Sequence, residues 1–90
     1  MKVLPQISKN VKVANRDVAK KILANADVAT LKEKIEATLC GNGRILLRPS
    51  GTEALVRVML EGTDLATITA YADEMVGLMQ NLAKEIEQNG

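Results

Sequence analysis

Apolar residues recur along this chain in two rhythms, and the changes of rhythm mark its elements. Between Lys2 and Val13 the apolar positions Ile7, Val11 and Val13 are all odd-numbered, which predicts short extended pieces, with Pro5 restricting strand pairing near their start. Asn15 to Asn25 is ambiguous; Asp17-Val18-Ala19 followed by Ile22-Leu23 is consistent with a short helix that Asn15 caps. Asp27 then reads as the N-cap of a better helix, because Val28, Leu31, Ile35 and Leu39 fall three or four apart on one face while Lys32, Lys34 and Glu36 fall on the wet side. Gly41-Asn42-Gly43 ends that helix, supplying residues that tolerate a left-handed C-cap and a tight turn. The rhythm returns to two in Arg44–Arg48, where Ile45 and Leu47 share a face, and in Leu55–Glu61, where Val56, Val58 and Leu60 share one and Leu55, Arg57 and Met59 the other. Gly62 closes that strand. Thr63 or Asp64 caps a final helix to about Gln88, with Leu65, Ile68, Ala72, Met75, Met79, Leu82 and Ile86 in one stripe that Val76 and Ala83 widen. The stripe has the ordinary amphipathic period, so it reads as core-facing. The expected fold class is α+β, a mostly antiparallel sheet with helices packed on one face, in a single domain spanning residues 1–90.

The two late strands enclose the most informative segment, Arg48-Pro49-Ser50-Gly51-Thr52-Glu53-Ala54-Leu55-Val56-Arg57. Arg48 offers a planar fork for bidentate contact with phosphate or carboxylate, and Ser50 and Thr52 place hydroxyl donors on either side of Gly51. Gly51 lets backbone N–H groups approach a ligand oxygen, since no Cβ stands in the way and positive φ costs it little. By composition alone the segment is equally an ordinary turn, for which Pro, Ser and Gly are used on conformational grounds, and it lacks the lysine of a P-loop. Arg57 has three readings by spacing: a partner of Arg48 around one anion, a solvated strand arginine, or a member of a cross-strand ion pair.

Composition narrows the function classes. Ninety residues make one core, too small for a multi-domain enzyme. Twelve Lys and Arg against 11 Asp and Glu leave a net charge of +1, so the expected partners include neither nucleic acid nor an anionic membrane, and anion binding has to be local. Tyr71 is the sole aromatic residue, which removes the stacking platforms of single-strand binders. Cys40 is the sole cysteine and there is no histidine, which excludes an internal disulfide and the usual zinc sets, leaves a thiol without a base, and fits a reducing cytoplasm. No apolar run approaches the ~18 residues of a membrane span.

The order of residues in the loop carries a resemblance. RPSGTEALVRVMLEG resembles the RPSGTEPxxRVMxEG stretch of phosphoglucosamine mutases, in the α-D-phosphohexomutase superfamily, where it is the phosphate-binding loop of the fourth, C-terminal domain. Leu4-Pro5-Gln6 and Asn10-Val11-Lys12-Val13 are similar to the family's YPQ and NVRV segments, and the likeness continues through Gly41-Asn42-Gly43-Arg44 into the last helix. Ala54 departs from it, standing where the family usually has proline. The resemblance implies a fold similar to the TATA-binding protein, in fold only. It also implies that Arg48, Ser50, Gly51, Thr52 and Arg57 hold the non-reacting phosphate of a phosphosugar substrate, with Glu53 ordering the loop, since a carboxylate facing the phosphate repels it.

Family members convert glucosamine 6-phosphate to glucosamine 1-phosphate, for UDP-N-acetylglucosamine synthesis, through a phosphoserine and a sugar bisphosphate intermediate, using Mg²⁺. This sequence contains no TASHNP-like phosphoserine loop, no DGDGDR-like metal loop and no GExSG-like sugar loop. It therefore looks like the excised or separately expressed fourth domain, with no catalytic or metal-binding residue of its own, and its expected partners are the phosphosugar and the parent's other domains. Two alternatives stand beside this: a stand-alone domain that binds phosphorylated ligands or partners without chemistry, and the same domain of a phosphomannomutase or phosphoglucomutase. The RVM-x-EG continuation favours the glucosamine type.

Overall fold

The computed structural model describes residues 4–39 and 43–89, which form β1 (Gln6–Lys12), α1 (Arg16–Leu23), α2 (Ala26–Leu39), β2 (Arg44–Pro49), β3 (Leu55–Glu61) and α3 (Leu65–Asn89). Cys40, Gly41 and Asn42, and with them the expected turn after α2, lie outside the described residues. The fold is α+β, as the alternation predicts. β3 takes the middle of the sheet, antiparallel to β1 on one side and to β2 on the other. It is the strand with the longest unbroken apolar alternation, and a central strand is the place where such a sequence buries most surface.

Register follows from the same alternation, because a slip of one residue moves every apolar side chain to the wrong face. Ile45 lies opposite Leu60 and Leu47 opposite Val58, while on the far side Ile7 lies opposite Leu60 and Val11 opposite Val56. All of these project to one face. There they join a single core with Val18, Ala19 and Ile22 of α1, Val28, Ile35 and Leu39 of α2, and Ile68, Ala72, Met75, Met79, Leu82 and Ala83 of α3. Full burial of a Val, Leu, Ile or Met side chain is worth about 1.5–3 kcal/mol, so this aliphatic core dominates the folding energy of a chain with one aromatic residue. Lys9 shares the core face of β1 but reaches its edge, where it pairs with Asp73 of α3.

Helix starts are set by side-chain caps. Asn15 accepts from the Val18 N–H at 3.0 Å, which settles Arg16–Leu23 as a helix. α2 begins earlier than its apolar spacing implies: Asn25, not Asp27, is the cap, and its Oδ1 accepts from the Asp27 N–H at 2.8 Å, leaving Asp27 in the first turn. Asp64 caps α3, accepting from the Ala66 N–H and the Thr67 hydroxyl. Leu65, expected in the core stripe, is instead 53% exposed, at the first residue of α3. Gly43 is required by proximity, since a Cβ there would sit 2.1 Å from the Glu61 carbonyl oxygen of β3.

The connection from β2 to β3 is closed by main-chain bonds. Ser50 N–H donates to the Leu55 carbonyl at 3.0 Å, Leu55 N–H to the Glu53 carbonyl at 2.9 Å, and Val13 N–H, just past β1, to the Ala54 carbonyl at 2.9 Å. The second of these is a three-residue γ-turn centred on Ala54, and the common inverse form holds φ near −75°, close to the value that a proline ring imposes. The Ala54 N–H donates no hydrogen bond to the described residues. Ala54→Pro is therefore expected to raise stability by about 0.4–1 kcal/mol, through a stiffer unfolded chain. Thermal melts of the two chains check this; a clear fall in Tm would show that the turn has a backbone that proline does not fit.

Candidate anion-binding site

The register that sets half-buried Leu47 opposite Val58 forces Arg48 and Arg57 to be directly opposite each other on the outer face of the hairpin. Like charges facing one another across antiparallel strands are destabilising. At the far end of the same two strands, Arg44 faces Glu61 and the two side chains approach to 3.8 Å, the ordinary arrangement of opposite charges. No described carboxylate pairs with Arg48 or Arg57. Of the three readings that spacing left for Arg57, the cross-strand ion pair is the one the register removes. The two guanidinium groups border a cavity of about 300 Å³ whose other lining residues are Pro49, Ser50, Gly51 and Met59. Both arginines are exposed.

The loop that closes this cavity is organised around the Ser50 hydroxyl. Its oxygen accepts from the Glu53 N–H at 3.2 Å and, more weakly, from the Thr52 N–H at 3.4 Å. A hydroxyl has two acceptor positions and one proton, so these bonds occupy the lone pairs and leave the O–H free to donate. Gly51 contributes through openness: a Cβ built there meets nothing within 4 Å, and its φ lies outside the left-handed region, so the expected role of positive φ is not used. Its missing side chain matters for what approaches from outside.

Of the five residues singled out in the sequence, Arg48, Ser50, Gly51 and Arg57 line the cavity, whereas Thr52 is exposed beside it and is joined to it through the Ser50 oxygen. Glu53 has its N–H and carbonyl in the hydrogen bonds of the loop while its side chain is exposed. Pro49, Met59 and Arg16 were not among the candidates, and the first of these lies within the loop segment itself. Met59 supplies apolar wall, two residues along β3 from Arg57 and on the same face, as its parity announces. Arg16, at the start of α1, reaches across to donate from Nη1 to the Gly51 carbonyl at 3.2 Å. Its 35-residue separation from Gly51 leaves no local signal, because the contact depends on the strand order. Among the described residues no group of three or more His, Cys, Asp or Glu side chains is placed to hold a metal ion. No described helix is long and apolar enough to cross a membrane.

Comparison with known proteins shows the family to which this fold belongs. The chain is 52% identical over 89 residues to a phosphoglucosamine mutase of Clostridium perfringens, an alignment that covers 97% of this chain and 18% of the relative. It is 44% identical over 80 residues to a phosphoglucosamine mutase of Caldanaerobacter subterraneus, covering 89% of this chain and again 18% of the relative. The chain thus spans less than a fifth of the length of these relatives. Among solved structures, the N-acetylphosphoglucosamine mutase of Aspergillus fumigatus superposes with a TM-score of 0.66 at 22% identity, covering 91% of this chain and 16% of that one, which is a likeness of fold. A second structure of the fungal enzyme, in complex with GlcNAc-6P and magnesium, superposes with a TM-score of 0.65. Residues 9–78 match the phosphoglucomutase/phosphomannomutase C-terminal domain, and the chain belongs to that family.

Proposed function

We propose that this chain is the substrate-phosphate-binding domain of a phosphoglucosamine mutase, interconverting glucosamine 6-phosphate and glucosamine 1-phosphate when joined to the rest of the enzyme. The observation that carries the proposal is the unpaired, face-to-face placement of Arg48 and Arg57 at the edge of a cavity. Two cations without carboxylates are an arrangement that a dianion relieves, and phosphate is the dianion whose oxygens match a guanidinium fork. The identity to phosphoglucosamine mutases over nearly the whole chain supports the glucosamine substrate over its sister sugars.

In this reading Arg48 takes two phosphate oxygens side by side, Arg57 takes a third, and the free Ser50 O–H donates to one of them. Gly51 lets the phosphate come close to the loop backbone, and Thr52 adds its hydroxyl at the rim. The work of the site is orientation. A phosphate gripped at the end of the sugar remote from the reaction fixes where the other end lies, and binding energy gained there is spent on aligning the reacting oxygen. Nucleophile and Mg²⁺ are assigned to the remainder of the protein, where the metal would supply charge neutralisation for phosphoryl transfer. The cytoplasm, where phosphosugars are made and used, is the compartment this assignment entails.

On its own the chain should show no mutase turnover, since it lacks the phosphoserine motif; assayed with glucosamine 6-phosphate, Mg²⁺ and a bisphosphate activator, turnover above a protein-free blank would overturn the assignment. Inorganic phosphate should bind the isolated chain in roughly the millimolar range, because a few charge-assisted bonds must offset association entropy without help from other domains. Amide shifts on titration should concentrate at Ser50, Gly51 and Thr52; shifts spread evenly, or centred on α3, would count against the site. In the full-length enzyme, Arg48→Lys keeps the charge and removes the fork, and should lower kcat/KM by roughly ten- to a hundred-fold, equivalent to losing a charged hydrogen bond of about 1.5–3 kcal/mol. Its melting temperature should be unchanged, the arginine being exposed. Normal kcat/KM, or a loss explained by unfolding, would return Arg48 to the status of a turn residue.

A further inference from the structure

The stretch from Val13 to Arg16, the first residue of α1, touches the anion loop at two points and is itself tied down at a third. Val13 N–H donates to the Ala54 carbonyl at 2.9 Å, and Arg16 Nη1 donates to the Gly51 carbonyl at 3.2 Å. Between them, Ala14 N–H donates to Glu87 Oε1 of α3 at 2.8 Å, and Asn15 caps α1 and so fixes the start of the helix that carries Arg16. The loop between Pro49 and Leu55 is thus strapped at its middle and at its end to a part of the chain outside the hairpin.

The bond from Arg16 has a particular consequence for the peptide between Gly51 and Thr52. In a trans peptide the carbonyl oxygen and the N–H point in opposite directions. Here the oxygen is held by Arg16 and the N–H is directed at the Ser50 oxygen, so the plane is fixed at both ends. A carbonyl oxygen turned toward the cavity would present partial negative charge to an anion, and Arg16 holds this one to itself.

We infer that Arg16 is a positioning residue for the anion loop: through the Gly51 carbonyl it sets the orientation of the Gly51–Thr52 peptide and so keeps the cavity receptive to phosphate. The inference rests on the reading of this cavity as a phosphate site. It assigns a function to a residue outside the loop motif, on an element with no other part in the site.

The test compares Arg16→Ala, Arg16→Lys and Arg16→Gln with the parent chain, measuring amide exchange without phosphate and affinity for inorganic phosphate by amide titration at constant ionic strength. Lysine retains charge and donor, glutamine retains a donor without charge, and alanine retains neither. Without phosphate, Arg16→Ala should speed exchange and shift the amides of Gly51 and Thr52, with no change in the core of α3. With phosphate, Arg16→Ala should weaken affinity about three- to tenfold, the range of one ordinary hydrogen bond, while Arg16→Lys and Arg16→Gln stay nearer the parent. Parent-like exchange and affinity in Arg16→Ala would overturn the inference. So would a glutamine variant as weak as alanine beside a parent-like lysine variant, because Arg16 would then act by charge alone. If the parent itself shows no phosphate shifts at Ser50, Gly51 and Thr52, the phosphate reading fails, and the exchange data still decide whether Arg16 orders the loop.

Discussion

The register of the β2–β3 hairpin is the constraint on which the site depends. Ile45 and Leu47 have to meet Leu60 and Val58 under the helices, and that requirement leaves Arg48 no neighbour across the sheet except Arg57. The core therefore sets the site by geometry alone. An arrangement of like charges is held in place by burial of aliphatic side chains on the opposite face of the same strands, each worth more than the repulsion between two solvated guanidinium groups. Separation of the two faces is what lets one strand pack the core on one side and border the cavity on the other.

Around this fixed pair the loop is built to hold shape without using up its donors. Ser50 orders the turn by accepting, so its proton remains for a ligand, and the γ-turn at Ala54 closes the loop while the tie from Val13 anchors it to β1. Arg16 spends its charge on a carbonyl of the loop, which distinguishes it from the two arginines that face the cavity. The three arginines thus take two different placements, which their chemical identity did not separate.

Much of this was legible in the residues. Period-two alternation marked both strands of the hairpin and the face on which each side chain falls, and the bounds of Leu55–Glu61 agree with the structure. Asn15 was readable as a cap because the cap interaction is local. Three features were not readable, each for a physical reason. Asn25 and Asp27 are both good caps two residues apart, and apolar spacing pointed to the wrong one because Ala26 adds nothing to the stripe. Leu65 continues the helical period of α3 but is its first residue and stands exposed, and periodicity tells the face of a helix without telling how far along it the core extends. Arg16 depends on β1 lying beside β3, and alternation tells which face a residue takes without telling which strand is its neighbour.

The central claim is that Arg48 and Arg57 face each other for the sake of an anion and not for the fold. Thermal melts of the parent chain and Arg57→Gln, with and without inorganic phosphate at constant ionic strength, test it most directly. Without phosphate the variant should melt at or above the parent, since removing one of two opposed like charges relieves repulsion. Phosphate at about ten times its dissociation constant should stabilise the parent by roughly 1.4 kcal/mol and the variant by much less. A variant that melts well below the parent in phosphate-free buffer, with both chains raised equally by phosphate, would contradict the claim and make Arg57 a structural residue of the sheet.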